Sequence, residues 1–252
     1  MTRAYYNTAQ ILLRQVAKHV LQNIDRVDRI RQLVHPDTDI PITSISLDIE
    51  DEIADRLQSL YPTHSILLKY GGLKRALDHD EDDQYHWVCD PLDGVDNLMC
   101  GLPSMAISLA LFHNRRCILS LVYQPITDDL FTASTGEGAL LNGKKIRARK
   151  PKNQEERIIM MSGTGTVEQA IDEVQSMSKI AINMGNIRQI GSTSLSLALH
   201  ASGAADLFYA RNISICSLAA GLHIASEAGA RIKKSQKDDL HMERVVSLLT
   251  QN

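Results

Sequence analysis

Residues 87–98 read Trp87-Val88-Cys89-Asp90-Pro91-Leu92-Asp93-Gly94-Val95-Asp96-Asn97-Leu98, and this stretch decides the fold. The run from Tyr85 to Cys89 predicts a strand entering the interior, and Pro91 and Gly94 predict a tight turn at its end. Asp90 and Asp93 therefore stand three residues apart where a strand gives way to a turn. Two carboxylates so placed suit a hard cation such as magnesium, while the amides beside Gly94 suit an anion. An isolated Asp-x-x-Asp-Gly is equally consistent with a surface turn, so the neighbouring sequence has to decide.

Upstream, Ala9, Leu12, Leu13, Val16, Ala17, Val20, Leu21 and Ile24 recur at helical spacing and predict a first amphipathic helix. Ile45, Ile49, Ile53, Leu57 and Leu60 predict a second, ended by Tyr61-Pro62 because proline excludes helical geometry from the residue before it. The acidic run Asp78 to Asp83 reads as an exposed turn. Downstream, Ile107 to Phe112, Cys117 to Tyr123 and Asp129 to Ala133 predict strands, followed by glycine turns at Gly136, Gly138 and Gly143. The remainder alternates strands at Arg157 to Met161, Ile187 to Ile190 and Ala205 to Tyr209 with helices at Val167 to Asn183, Ser194 to Ser202 and Ser217 to Ala228. That order predicts an α/β protein of layered sheets covered by helices. Residues 1–145 form an α+β part carrying Asp90 and Asp93, residues 146–252 an α/β part, and the absence of any flexible linker near Lys150-Pro151 predicts a tightly packed junction.

Bulk properties exclude more than they assign. The chain has 252 residues, 44% of them hydrophobic, enough for a substantial core. A net charge of -3 and only short basic clusters (Lys144-Lys145, Arg147, Arg149-Lys150, Lys233-Lys234) give no direct nucleic-acid signal. Cys89, Cys100, Cys117 and Cys216 show no metal or disulfide spacing and are expected to be buried small hydrophobes. The start lacks a signal-peptide pattern and the apolar runs are too short for a bilayer, so a cytoplasmic protein without membrane contact is expected.

The signature stretch resembles the D-P-[IL]-D-G-T motif of the inositol monophosphatase family. The likeness continues through Gly101-Leu102-Pro103, Ser108-Leu109-Ala110, Tyr123-Gln124-Pro125 and Gly136-Glu137-Gly138-Ala139-Leu140-Leu141-Asn142-Gly143. It then runs through Gly191-Ser192-Thr193, Gly203-Ala204-Ala205-Asp206, Ala219-Ala220-Gly221 and Glu227-Ala228-Gly229, spanning roughly residues 8 to 248. The resemblance implies an αβαβα sugar-phosphatase fold with two sheets, usually a homodimer, and magnesium-assisted hydrolysis of small phosphate monoesters.

Carried over position by position, the same resemblance implies a site that has lost most of its parts. Asp90, Asp93 and the Leu92 carbonyl stand at family metal-ligand positions. The metal-bridging glutamate becomes Lys69, followed by Tyr70, and the water-activating aspartate becomes Ser46. Its threonine partner becomes Val95, which keeps β-branched shape but loses the hydroxyl. The aspartate of the later W-D-x-A-A-G motif becomes Ser217, and a sugar-binding acid becomes Ala210. Ser46 and Ser217 fall at predicted helix starts, where serine caps as well as aspartate does, so folding keeps its cap while a metal loses its ligand. Two acids and one ammonium stand where the family has five acids, so Mg2+ is expected to bind at best poorly or not at all, with Lys69 paired to Asp90.

Three functions are compatible with this pattern. The leading expectation is a catalytically impaired family member, a pseudophosphatase that binds a small phosphorylated ligand (at Gly94, Val95, Gly191, Ser192 and Thr193) or a protein partner. A second is an active magnesium-dependent phosphatase acting on monoesters such as inositol phosphates, with ligands recruited from Asp48, Asp51, Asp96 or the acidic run at Asp78 to Asp83. A third is a regulatory partner in transcription or RNA maturation, processes to which bacterial members of the family have been linked. Of the remaining features, Ser162-Gly163-Thr164-Gly165-Thr166 is a candidate anion-facing loop but reads more simply as a capping turn, the histidines lack ligand spacing, and the Asn212-Ile213-Ser214 sequon is incidental.

Overall fold

A computed structural model describes residues 2–34, 41–76, 84–150, 153–163, 185–211 and 213–231, together with Gln175 and Ser178. Helix α1 (Thr2–Asn23) buries Ala9, Leu12, Leu13, Val16, Ala17 and Val20, as the 3.6-residue period predicts. Leu21 is 47% exposed, because at 100° per residue it lies roughly 110° from the centre of that stripe. A short ribbon of β1 (Gln32–Val34) and β2 (Pro41–Thr43) leads into α2 (Ser44–Leu60). Ile45, Ile49, Ile53 and Leu57 of α2 are buried, but Leu60, its last residue, is exposed where the chain turns away at Tyr61-Pro62.

The main sheet then assembles from β3 (His64–Leu68), β4 (Gly72–Lys74) and β5 (Tyr85–Asp93). After the short helix α3 (Val95–Met99) it continues with β6 (Ala106–His113), β7 (Arg116–Gln124), β8 (Asp129–Ser134), β9 (Gly138–Leu141) and β10 (Lys144–Ile146). The spatial order is β10-β9-β8-β7-β6-β5-β3-β4, and only β3 and β5 pair in parallel. Strand β3 was not foreseen; its partner's Trp87 is fully buried and donates its indole N–H to His64 Nδ1 at 3.1 Å.

A second sheet, β12-β11-β13, is built from β11 (Ile158–Gly163), β12 (Asn186–Arg188) and β13 (Leu207–Arg211), all parallel. Helix α4 (Thr193–Ala201) packs against both sheets, and α5 (Ile215–Glu227) packs beside it on the large sheet. Successive layers are thus α1 with α2, the large sheet, α4 with α5, and the small sheet. The predicted helix at Val167 to Asn183 lies outside the described residues apart from Gln175 and Ser178, which are helical. The acidic run at Asp78 to Asp83, Lys233-Lys234, Thr164 to Thr166 and Asn212 also lie outside them.

The two faces of the large sheet differ in chemistry. Leu12, Leu13, Ile49, Ile53 and Leu57 pack on Trp87, Leu109, Leu111, Leu119 and Leu121 in an apolar cluster. The opposite face meets α4 and α5 in a second apolar cluster, in which Val88, Phe112, Val122 and Phe131 stand with Ala106, Ala110, Ala198, Ala219 and Ala220. The helices come so close that a Cβ on Gly221 would lie 2.7 Å from Leu197 Cβ. Buried among them, His223 Nδ1 sits 2.8 Å from Ser120 Oγ and its Nε2 3.1 Å from Thr135 Oγ1. Thr135 spends its own proton on the Cys117 carbonyl, so Nε2 carries the imidazole proton and Nδ1 accepts from Ser120. Burial holds the His223 imidazole down to about 4, with Glu227 opposing.

Candidate functional site

Strand β5 delivers its carboxylates to one place by a break in register. Pairing with β6 is regular to Asp90–Ser108 and resumes at Asp93–Ala106, a bulge at Pro91-Leu92, where proline has no N–H to offer the ladder. Gly94 then turns the chain with φ +98°, and a Cβ there would lie 2.7 Å from the Ser104 carbonyl oxygen, so the signature glycine is required twice over.

Asp90 is fully buried, and proton donors surround it. Lys69, the residue after β3, places Nζ 2.8 Å from Oδ2 and 3.1 Å from Oδ1. Ser217 Oγ donates to Oδ2 at 2.5 Å and the Leu92 N–H to Oδ1 at 3.3 Å. Burial pulls the Lys69 ammonium down, but Asp90 and then Asp93 outweigh it and hold it above the ordinary lysine range, so it is charged throughout the physiological range.

Asp93 is bound differently. Its Oδ2 accepts from Ser192 Oγ at 2.8 Å, Ser194 N at 2.7 Å and Ser194 Oγ at 2.7 Å, all at the start of α4. Burial and the neighbouring Asp90 raise its carboxyl above the ordinary range, and Lys69 and Ser194 offset part of that. Beside it the Asn97 amide donates to the Ser104 carbonyl at 2.5 Å and the Ile190 carbonyl at 2.7 Å, fastening the signature turn to the Gly191 loop.

The structure brings Ser46, Lys69, Asp90, Asp93, Ser192 and Ser217 to one region and corrects four details. The helix caps are Thr43 and Ser214, not Ser46 and Ser217; Ser46 is the N3 partner of a capping box and Ser217 lies in the first turn of α5 facing Asp90. The proposed substitute acids Asp48, Asp51 and Asp96 are exposed, because each lies off the buried face of its helix. Cys100 is exposed at the end of α3, unlike the other three thiols; burial pushes the Cys216 thiol up to about 12, so it stays a thiol. At the start of α4, Ser194, passed over in the sequence, makes two of the three bonds to Asp93, while Thr193 is simply buried.

Glu50 was also missed. It is buried one turn along α2 from Ser46 and accepts from Tyr70 N at 3.1 Å and Gly71 N at 2.7 Å, holding the turn that carries Lys69. Burial raises its carboxyl above the ordinary range. The signal was available, since a glutamate beside Ile49 and Ile53 on an apolar stripe has to find donors. Tyr70 completes the turn, and burial raises its hydroxyl above the ordinary range, with Lys69 opposing. Val95 is half-buried against the apolar cluster, and Ala210 sits in β13, paired with Ser162 of β11. Among the described residues, no three His, Cys, Asp or Glu side chains stand together as a metal-ligand set.

A layered α/β architecture with an Asp-x-x-Asp-Gly turn at the end of a bulged central strand defines a fold class shared with solved inositol monophosphatase structures. Within that class the chain belongs to the inositol monophosphatase family, whose model matches residues 2–249. It is 31% identical over 232 residues to the Nus factor SuhB of Pseudomonas aeruginosa, covering 90% of this chain and 83% of that protein. The Escherichia coli K12 Nus factor SuhB is 29% identical over 224 residues, covering 88% and 82%. Among solved structures, the extragenic suppressor protein suhB of Bartonella henselae superposes with a TM-score of 0.80 at 25% identity, covering 90% of this chain and 85% of that one. An inositol monophosphatase of Thermotoga maritima gives 0.73 at 28% identity, covering 91% and 84%. No helix among the described residues is long and apolar enough to cross a membrane.

Proposed function

We propose that this chain works by binding a protein partner, as a regulatory factor in transcription, and that it hydrolyses phosphate esters poorly or not at all. The observation that carries the second half is the Lys69 ammonium, within 3.1 Å of both oxygens of the buried Asp90. A divalent ion at Asp90 would have to displace that ammonium and the Ser217 proton, and at Asp93 it would meet an oxygen already holding three donors. These residues do not fit a resident magnesium, which asks for several free carboxylate oxygens in octahedral array. A free phosphate ester fares no better, since without metals it would face Glu50, Asp90 and Asp93 against the single Lys69.

The first half draws on the relatives named Nus factor and on the family resemblance that links bacterial members to transcription and ribosomal RNA maturation. A cytoplasmic homodimer, the habit of the family, is part of the same proposal. Two measurements test it. Affinity purification of the full chain from its own cells is expected to recover RNA polymerase or its elongation factors, and recovery of none overturns the regulatory half. Titration with magnesium alongside hydrolysis of an aryl phosphate and an inositol phosphate is expected to be silent. Saturable turnover at millimolar metal that vanishes in Asp90→Asn overturns the non-hydrolytic half. Restoring Ser46→Asp, Lys69→Glu, Val95→Thr and Ser217→Asp together is expected to create metal binding.

A further inference from the structure

We infer that Asp90 and Asp93 serve as fasteners between the large sheet and the helices α4 and α5 that cover it, with the Lys69 ammonium as the counter-ion of Asp90. The bonds they make cross one seam. Asp93 reaches Ser192 and Ser194, 99 and 101 residues ahead, and Asp90 reaches Ser217, 127 residues ahead. Asn97 reaches the Ile190 carbonyl, 93 residues ahead, along the same line. Every one of these joins the signature segment of β5 and α3 to the start of α4 or α5 or to the loop that leads into α4.

The seam needs directional bonds because its packing leaves little tolerance. A Cβ on Gly191 would lie 2.7 Å from Asn97 Nδ2, and one on Gly221 would lie 2.7 Å from Leu197 Cβ. Gly191 and Gly221 put no side chain into the seam at these two points, whereas a carboxylate with three donors fixes the approach in direction as well as distance. Serine at 217 suits the role because it donates to Asp90; an acid there would set a second buried negative charge against it. The Ser194 N–H on Asp93 belongs to the first turn of the nine-residue α4, where a carboxylate also satisfies a backbone donor without a helical partner.

The inference rests on the metal-free reading of the site, and the test separates the two. Breaking a buried pair from one side strands a charge, whereas removing both partners does not. Lys69→Met is therefore expected to lower Tm by about 10 °C. Lys69→Met with Asp90→Asn is expected to recover at least half of that loss. If Lys69→Met does not fold, a folded double variant supports the inference equally. Asp93→Asn is expected to speed hydrogen exchange at the Ser194 to Leu197 amides ahead of the rest of the chain, and the wild-type Tm is expected to be the same in millimolar magnesium and in EDTA. Additive losses in the cycle overturn the counter-ion role of Lys69, and unchanged exchange at α4 in Asp93→Asn overturns the fastening role. A saturable rise of the wild-type Tm with magnesium overturns both the fastening role and the metal-free reading.

Discussion

The two faces of the large sheet are both apolar, but only one is also stitched by buried hydrogen bonds to its helices. Under α1 and α2, Leu12, Leu13, Ile49, Ile53 and Leu57 meet Trp87, Leu109, Leu111 and Leu119, and cohesion comes from apolar area removed from water. Under α4 and α5 a second apolar cluster, with Phe112 and Phe131 in it, is supplemented by placed hydrogen bonds, Asp90 with Ser217, Asp93 with Ser194 and Ser120 with His223. The face under α1 and α2 tolerates approximate shape and is insensitive to protonation; the stitched face is directional and answers to pH.

That contrast can be broken by experiment. The largest effect expected is on the face under α1 and α2: Leu57→Ala is expected to cost about 4 kcal/mol in urea unfolding, by the same amount at pH 5 and pH 8. A strong pH dependence of that loss would dissolve the distinction. On the stitched face, acid is the probe. His223 is held at about 4 when folded and returns to its ordinary 6.5 when unfolded, so below pH 6.5 the unfolded chain takes up a proton that the folded one refuses. Stability should fall between pH 6.5 and about 4, by up to about 3 kcal/mol, and burial of His200 adds in the same direction. His223→Gln should flatten this acid limb whatever it does to stability at pH 8; an unchanged slope would remove the imidazole from the account.

Two smaller effects sharpen the picture. Gly221→Ala places a methyl 2.7 Å from Leu197 Cβ and 3.1 Å from the Ser194 carbonyl, and should cost about 2 kcal/mol by forcing α4 and α5 apart. A neutral result by thermal unfolding would mean that the helices are not tightly apposed. Smallest should be Arg14→Ala, which removes an exposed ion pair to Asp128: about 0.5 kcal/mol at low salt, and nothing measurable at 1 M salt.

What the sequence disclosed follows the same division. The stripes Ala9 to Val20 and Ile45 to Leu57 were legible because amphipathic periodicity is local, and the layer of α1 and α2 is made of local periodicity. The Trp87 to Leu98 stretch was legible because its chemistry is contiguous, and the pairing of Lys69 with Asp90 followed once their positions were known. Glu50, Ser194 and the Asn97 bridge were not, since nothing within several residues of each reveals a donor or acceptor supplied by a distant strand or helix. The caps were misplaced for a related reason: Thr43 and Ser46 share a reciprocal box, and sequence alone favours either serine or threonine as the residue at its head. Cys100 escaped its expected burial because the short α3 ends in a turn open to solvent.

The parallel pairing of β3 with β5 bears on how the chain is made. Lys69 leaves the ribosome 21 residues ahead of Asp90, so a nascent amino-terminal half already carries the cation that its first carboxylate needs. Asp93 has no such early companion: Ser194 follows it by 101 residues, which at typical synthesis rates of roughly 5 to 20 residues per second is a wait of many seconds. During that interval the half-made protein displays an uncovered apolar sheet face and an unsated acid, the species on which a chaperone would act.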